Sequence, residues 1–257
     1  MSNFHIWEGV YRTFAEAPTV GPGFSGPEHR RRALESAKEA IDSVKRGVTI
    51  RRFLTQRTTM LPPLVANALN ASPLVSVLDF GGGLGIGYLT LLEYIPEVAQ
   101  RLDYHIVDLP AVCDAGRELF GSTKGISFHD SLPDASTRFD VVLAASAIQY
   151  VDDWHAVLRA LAAFRAPTLL FSDVFAGDIP TYCSLQNYYG SKIVQWFFNL
   201  GEMNETLASA GYRVSLKTHV PLERLGRSNG LEMENFPDRN RIPETLTLMY
   251  HQTPAGK

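Results

Sequence analysis

Asp79, Gly81, Gly83 and Gly85 alternate along Val75–Gly87, VSVLDFGGGLGIG, where five glycines fill the seven positions 81–87 directly after an apolar run. Glycine gives up backbone entropy wherever it is fixed, so such a cluster implies close approach of a ligand to bare backbone. A dinucleotide turn reads G-x-G-x-x-G or A. Frames starting at Gly81, Gly83 and Gly85 place Ile86, Tyr88 and Thr90 at the third small position, so none is satisfied. A pyrophosphate seeks helix N-terminal N–H donors; a carboxylate at Asp79 repels it, but can hold an amino group directly or through water. Asp108 closes YHIVDLP, 23 residues after Gly85. There an acid can accept both hydroxyls of a ribose, as in NAD enzymes too, or cap a helix before Pro110. Asp130, in ISFHDSLP, follows a third strand and reads as a ligand contact or a turn cap.

This ordered set, with FDVVLAASAIQYVDDW after it, resembles the class I S-adenosylmethionine (SAM)-dependent methyltransferases from Val75 to Asp173. The resemblance implies a Rossmann-like α/β fold with a mostly parallel seven-stranded sheet, an antiparallel edge and an N-terminal helical cap. It implies SAM as cofactor and S-adenosylhomocysteine (SAH) as product. Asp79, Gly81, Gly82 and Gly83 would meet the methionine part, Asp108 with Leu109 the ribose, and Asp130 with Ser131 the adenine. Ala145, Ser146 and Gln149 would line the cofactor from the stretch after the fourth strand. WEGVYRTF, VLDFGGGLG, SAIQYV and SLQNYY…VQWFF together resemble a bacterial group of methyltransferases of unassigned substrate, often met among surface-polysaccharide or specialised-metabolite genes. VDLPAV also resembles small-molecule O-methyltransferases, but Gln149 and Tyr150 stand where those enzymes often carry a histidine base.

Methyl transfer from a sulfonium is an in-line displacement, and alignment alone can supply about 7–11 kcal/mol. A base contributes only where the acceptor keeps its proton to the transition state. Tyr150 and His129 are the catalytic candidates, and each also reads as a packing residue. Gln149 cannot be a base, though its amide can hold acceptor or adenine. Trp7, Tyr11, Tyr150, Gln186, Tyr188, Tyr189 and Trp196 are candidates for the substrate side, and aromatic residues among them read equally as core. The expected acceptor is a small molecule or a sugar-type intermediate, methylated on O or N. A non-catalytic SAM-binding module is the alternative, with an NAD(P) oxidoreductase disfavoured by the glycine frame. Scattered histidines with no H-x-x-x-H pair predict no metal.

The elements that must position these residues are legible as short apolar runs alternating with helical stretches, the sign of βαβ units. Strands are expected at 75–80, 104–107, 126–129, 141–144 and 168–172, with helices around 87–92, 111–119 and 154–164. YRVSLKTHV and ETLTLMYHQ read as two late strands forming an antiparallel edge. Residues 1–70 read as a helical cap, with a helix opened by Pro27 and closed before Gly47, and residues 71–257 as the methyltransferase domain. Irregular substrate-side insertions are expected at about 176–200 and 221–243. The 257 residues carry a net charge of −3, 45% hydrophobic and 20% charged residues. That balance gives no pull toward nucleic acid or membrane. The N-terminal arginines (Arg30, Arg31, Arg32, Arg51, Arg52, Arg57) form a local basic exception, read as a solvated face or as a contact to an anionic group. No signal-like start, no membrane-length apolar run and two distant cysteines suggest a cytoplasmic protein with free thiols, and a homodimer is left open.

Overall fold

The computed structural model describes residues 4–220 and 230–253. Its strands are β1 (Trp7–Tyr11), β2 (Val75–Phe80), β3 (Leu102–Val107), β4 (Ile126–His129), β5 (Val141–Ala145), β6 (Thr168–Val174), β7 (Ala176–Gly177), β8 (Tyr182–Tyr188), β9 (Ser191–Asn199), β10 (Tyr212–His219) and β11 (Leu246–Gln252). Its helices are α1 (Pro27–Lys45), α2 (Arg52–Thr55), α3 (Leu61–Ala71), α4 (Ile86–Tyr94), α5 (Pro110–Phe120), α6 (Trp154–Ala163) and α7 (Leu200–Ser209).

Seven strands form one sheet in the order β10-β11-β6-β5-β2-β3-β4. The pairs from β4 through β6 are parallel, whereas β11 runs antiparallel to both β6 and β10. The central parallel strands β2, β5 and β6 are almost wholly buried and therefore read as near-continuous apolar runs, whereas the edge strand β4 buries only Phe128. The chain enters at β2, builds outward to β3 and β4, then returns to lay β5 on the other side of β2. That reversal makes a crevice beyond the carboxyl ends of β2 and β5, where open α/β sheets bind ligands.

One sheet face packs on α1, α3, α4 and α5; Ala40, Leu61 and Val65 share a core with Val77, Leu91 and Leu143. The other face packs on α6 and α7 through Leu158, Leu161, Met203 and Leu207. Gly26 is the N-cap of α1 and Pro27 its first residue, where a missing N–H is harmless. Small residues at Ala33 and Ala37 let α1 lie close over Leu84 of the glycine loop and Ala115 of α5.

Two expectations are corrected. Residues 176–200 are not irregular: β8 and β9 form a hairpin turned at Tyr189 and Gly190, both of positive φ, as a two-residue twist-matched turn requires. Residues 1–70 are not wholly helical, because Trp7–Tyr11 pairs antiparallel with β8 in a second sheet of order β1-β8-β9-β7. Of the segment 221–243, residues 221–229 lie outside the described residues. Met233, Phe236 and Ile242 pack with Trp7, Phe175 and Phe197 in a satellite core under the second sheet.

Candidate functional site

Asp79 stands at the carboxyl end of β2, 2% exposed. Its Oδ2 accepts a 2.6 Å hydrogen bond from the Tyr104 hydroxyl, while Oδ1 is buried with no partner among the described residues. Burial pushes its pKa up to about 7, opposed by the Tyr104 bond and assisted by the negative charge of Asp108. The chain turns directly after it. Gly81 lies so close to Ala147, beyond β5, that a Cβ there would come within 2.4 Å of the alanine methyl. Gly83 has φ +57°, and a Cβ on it would meet no atom within 4 Å. The loop therefore presents bare backbone to the crevice, in a conformation that glycine adopts without penalty.

Asp108, beyond β3, ties the next strand to this loop. Its Oδ2 accepts from Gly83 N–H at 2.9 Å and its Oδ1 from Leu109 N–H at 2.7 Å. Burial raises its pKa, opposed by those two bonds and by His29. Beyond β4, Asp130 is exposed and paired at 2.7 Å with Arg117, which also holds the Phe128 carbonyl. That pairing keeps the Asp130 carboxyl below its ordinary range. Ser131 beside it is exposed. Cys113 of α5 reaches the carbonyls of Asp108 and His129, and burial lifts its thiol to about 11, so it stays neutral.

Across the crevice, Ala145 ends β5, and Ser146 (φ +57°) and Asp173 (φ +54°) hold left-handed backbone unusual for non-glycine residues. Gln149, 1% exposed, bridges them: its Nε2 donates to Ser146 Oγ at 3.2 Å and to the Asp173 carbonyl at 3.3 Å. The Asp173 carboxylate is fully buried and accepts from Arg57 Nε at 2.8 Å, an ion pair joining the N-terminal segment to the end of β6.

Next to these ends, four elements contribute an aromatic wall. Phe24 packs edge-on against Tyr150 at 4.8 Å between centroids, and against His29 and Tyr188 at 5.2 Å each. Tyr150 donates to Gln186 Oε1 at 2.9 Å, and His29 Nδ1 shares a hydrogen bond with the Tyr188 hydroxyl. Tyr189 packs edge-on to Tyr188 and lies 4.2 Å under the Arg32 guanidinium. Burial lowers the pKa of His29, opposed by Asp108, so its ring is neutral at neutral pH and within electrostatic reach of the carboxylate beyond β3.

The structure thus brings together Asp79, the three glycines, Asp108, Leu109, Ala145, Ser146 and Gln149, with Asp130 and Ser131 at one end and Tyr150, Gln186, Tyr188 and Tyr189 at the other. Four sequence candidates fall elsewhere. Trp7 is fully buried against Phe175 and Phe197, at 5.5 and 5.9 Å. Tyr11 packs on the main core, and Trp196 stacks on Phe14 while its indole N–H donates to Val151 and Asp152 carbonyls. His129 stacks on His105 at 5.1 Å and bonds Ser127 Oγ, on the sheet face rather than beyond its edge. Their shared reason is strand alternation, which points these side chains into packing layers. Sequence reasoning missed Phe24 and His29 as neighbours of the site, and it named Arg57 only within a group of six arginines read as a solvated face or a contact to an anionic group, whereas its partner is the Asp173 carboxylate. A lone histidine inside PEHRRR carries no local signal, and only the packing of α1 over the glycine loop brings it here. Among the described residues no group of three or more His, Cys, Asp or Glu could hold a metal ion. No helix among them is long and apolar enough to cross a membrane.

The family model described as a methyltransferase domain matches residues 35–217. Among solved structures, the chain is similar to a Burkholderia thailandensis protein bound to S-adenosylhomocysteine, with TM-score 0.55 and 16% identity over 79% of this chain and 78% of that one. A second protein of the same superfamily and organism gives TM-score 0.54 and 15% identity, covering 90% and 95%. A chain from the complex of the Haloferax volcanii Trm112 methyltransferase activator with a methyltransferase gives 0.51 and 18%, covering 86% and 99%. At these identities the likeness is one of fold. No curated protein matches.

Proposed function

The chain belongs to the methyltransferase domain family, and from that premise we propose that it is a SAM-dependent methyltransferase whose acceptor is a small molecule. The observation that carries the cofactor reading is the Gly83 turn. Its backbone is open to the crevice, its N–H is fixed by Asp108, and the free oxygen of Asp79 lies behind it. These groups suit a ligand with an amino group and a ribose, and a pyrophosphate would meet two carboxylates there.

When bound, SAM supplies an activated methyl group on a sulfonium. The residues of this chain bind, orient and shield. Asp79 offers a carboxylate oxygen to the amino group. Asp108, already aligned by two N–H donors, offers its remaining acceptor capacity to the ribose hydroxyls. Asp130, Ser131 and Leu109 border the adenine end. Gln149, held by Ser146 and the Asp173 carbonyl, fixes the floor of the crevice. Phe24, Tyr150, Tyr188 and Tyr189 form the acceptor wall, opposite the cofactor side. His29, neutral and bonded to Tyr188, takes the place of the histidine base that Gln149 and Tyr150 displaced in the sequence. It can accept a proton from an O–H or N–H acceptor.

Calorimetry tests the reading. SAH is expected to bind, and Asp108→Ala to weaken it by about 1.5–3 kcal/mol, the range for hydrogen bonds to a charged group. No heat with millimolar SAH would end the cofactor reading, and unchanged affinity in folded Asp108→Ala would remove the ribose role. A methyl-transfer assay over candidate acceptors separates an enzyme from a non-catalytic SAM-binding module.

A further inference from the structure

Gln195 lies on β9, fully buried, and neither its Oε1 nor its Nε2 has a hydrogen-bond partner among the described residues. Burying an amide with both atoms unbonded is among the least favourable arrangements for a neutral side chain, and such a group calls for an explanation. Its place on the hairpin gives one. Cross-strand pairs share a face, and the register pairs Tyr188 with Ser191, Gln186 with Ile193, Ser184 with Gln195 and Tyr182 with Phe197. Gln195 therefore shares its face with Gln186, which holds Tyr150, and with Tyr188, which holds His29. Toward Tyr182 and Phe197 that face is closed by apolar packing, while toward Tyr188 it runs past Gln186 and Ile193 to the aromatic wall. A second amide oxygen, Gln149 Oε1 in the turn after β5, is buried without a partner among the described residues.

We propose that the acceptor is a neutral planar molecule with a lactam- or carboxamide-type edge, an N–H beside a C=O, read by the Gln195 amide, with Gln149 Oε1 taking a further donor. This deepens the methyltransferase reading and rests on it. A primary amide presents one acceptor and one donor side by side, and a lactam edge presents the complement at the same spacing. Edge-on rings at Phe24, Tyr150 and Tyr188 favour a flat molecule. Among the described residues, the cations at the wall already have carboxylate partners, Arg57 with Asp173 and Arg32 with Glu28, which favours a neutral acceptor over an anionic one.

Saturation-transfer NMR on the SAH-loaded full chain tests it with 2-pyridone, N-methyl-2-pyridone and methyl glucoside. The expected result is binding of 2-pyridone, at least tenfold weaker binding of the N-methylated ring, and loss of that preference in Gln195→Met. Equal binding of the two pyridones, a preference that survives Gln195→Met, binding of the glucoside alone, or no binding of any probe would overturn it. Gln149→Met serves as the second variant: a smaller drop in 2-pyridone binding is expected there, and a drop equal to or larger than that of Gln195→Met would reassign the recognition and overturn the proposal. Calorimetric SAH binding on the same sample separates the two readings, because a chain that binds SAH but not the lactam sinks only this inference.

Discussion

A carboxylic acid with a pKa near 7, one oxygen held by a tyrosine and the other buried without a partner, is poised to lose its proton when a cation arrives. Asp79 is such a group. Its folded pKa lies above the ordinary carboxyl value, so between about pH 4 and pH 7 the folded chain keeps a proton that the unfolded chain has released. That favours the folded apo protein at the acidic end of this window and is lost as pH rises through about 7. Binding of an ammonium needs the ionised form, so the sign reverses for the ligand. SAH affinity is expected to rise by up to about tenfold from pH 6 to pH 8, with proton release on binding at pH 6. Calorimetry in two buffers of different ionisation enthalpy reads both. Asp79→Asn should bind more weakly at pH 8 and lose the proton release; a pH-independent wild type would show that Asp79 does not meet the amino group.

At the scale of elements, the glycine loop and α4 separate binding from stability. Gly83 faces open space, whereas Gly87, in the first turn of α4, sits so close to Tyr104 that a Cβ would lie 2.1 Å from its hydroxyl. Gly87→Ala is expected to destabilise the fold by about 1–3 kcal/mol through overpacking, read by urea unfolding, and to disturb the Tyr104–Asp79 bond. Gly83→Ala should lose only about 1–2 kcal/mol from its left-handed backbone, yet weaken SAH far more than Gly87→Ala does. The opposite ranking would displace the ligand from this turn. The same elements show what can be read from a sequence. β2 to β6 were legible within two residues because short apolar runs, near-continuous in the central β2, β5 and β6, are bounded by polar or glycine residues. The positions proposed for the cofactor side could be grouped from sequence because they follow those strand ends at once. The β8–β9 hairpin was not. Its turn is Tyr189–Gly190 rather than Asn-Gly or Asp-Gly, and Cys183, Leu185, Trp196 and Phe198 are buried on the face opposite Gln195, which erases the alternation that marks a half-exposed strand. β1 was hidden for a different reason: its partner, β8, lies more than 170 residues away, and no local pattern encodes such a pairing.

At the scale of the molecule, the question is how the N-terminal 70 residues relate to the sheet they cover. Composition divides the chain near residue 70, but packing joins it. Ile50, Leu61 and Val65 lie in the same core as Val75 and Leu143, and Arg57 reaches the buried carboxylate of Asp173 at the crevice. The segment that carries Phe24 and His29 to the site is therefore anchored at two levels, apolar below and ionic above. Removing one partner of a buried pair leaves the other charge poorly compensated, at about 3–5 kcal/mol, and the 31% exposure of the Arg57 side chain reduces this. Arg57→Met is expected to lose about 2–4 kcal/mol in urea unfolding, and Arg57→Met with Asp173→Asn to recover part of it, since no buried charge then remains. If the pair instead behaves as a surface contact, the single variant loses less than about 1 kcal/mol and the double recovers nothing. In that case α1 and its histidine would be held over the crevice by apolar packing alone.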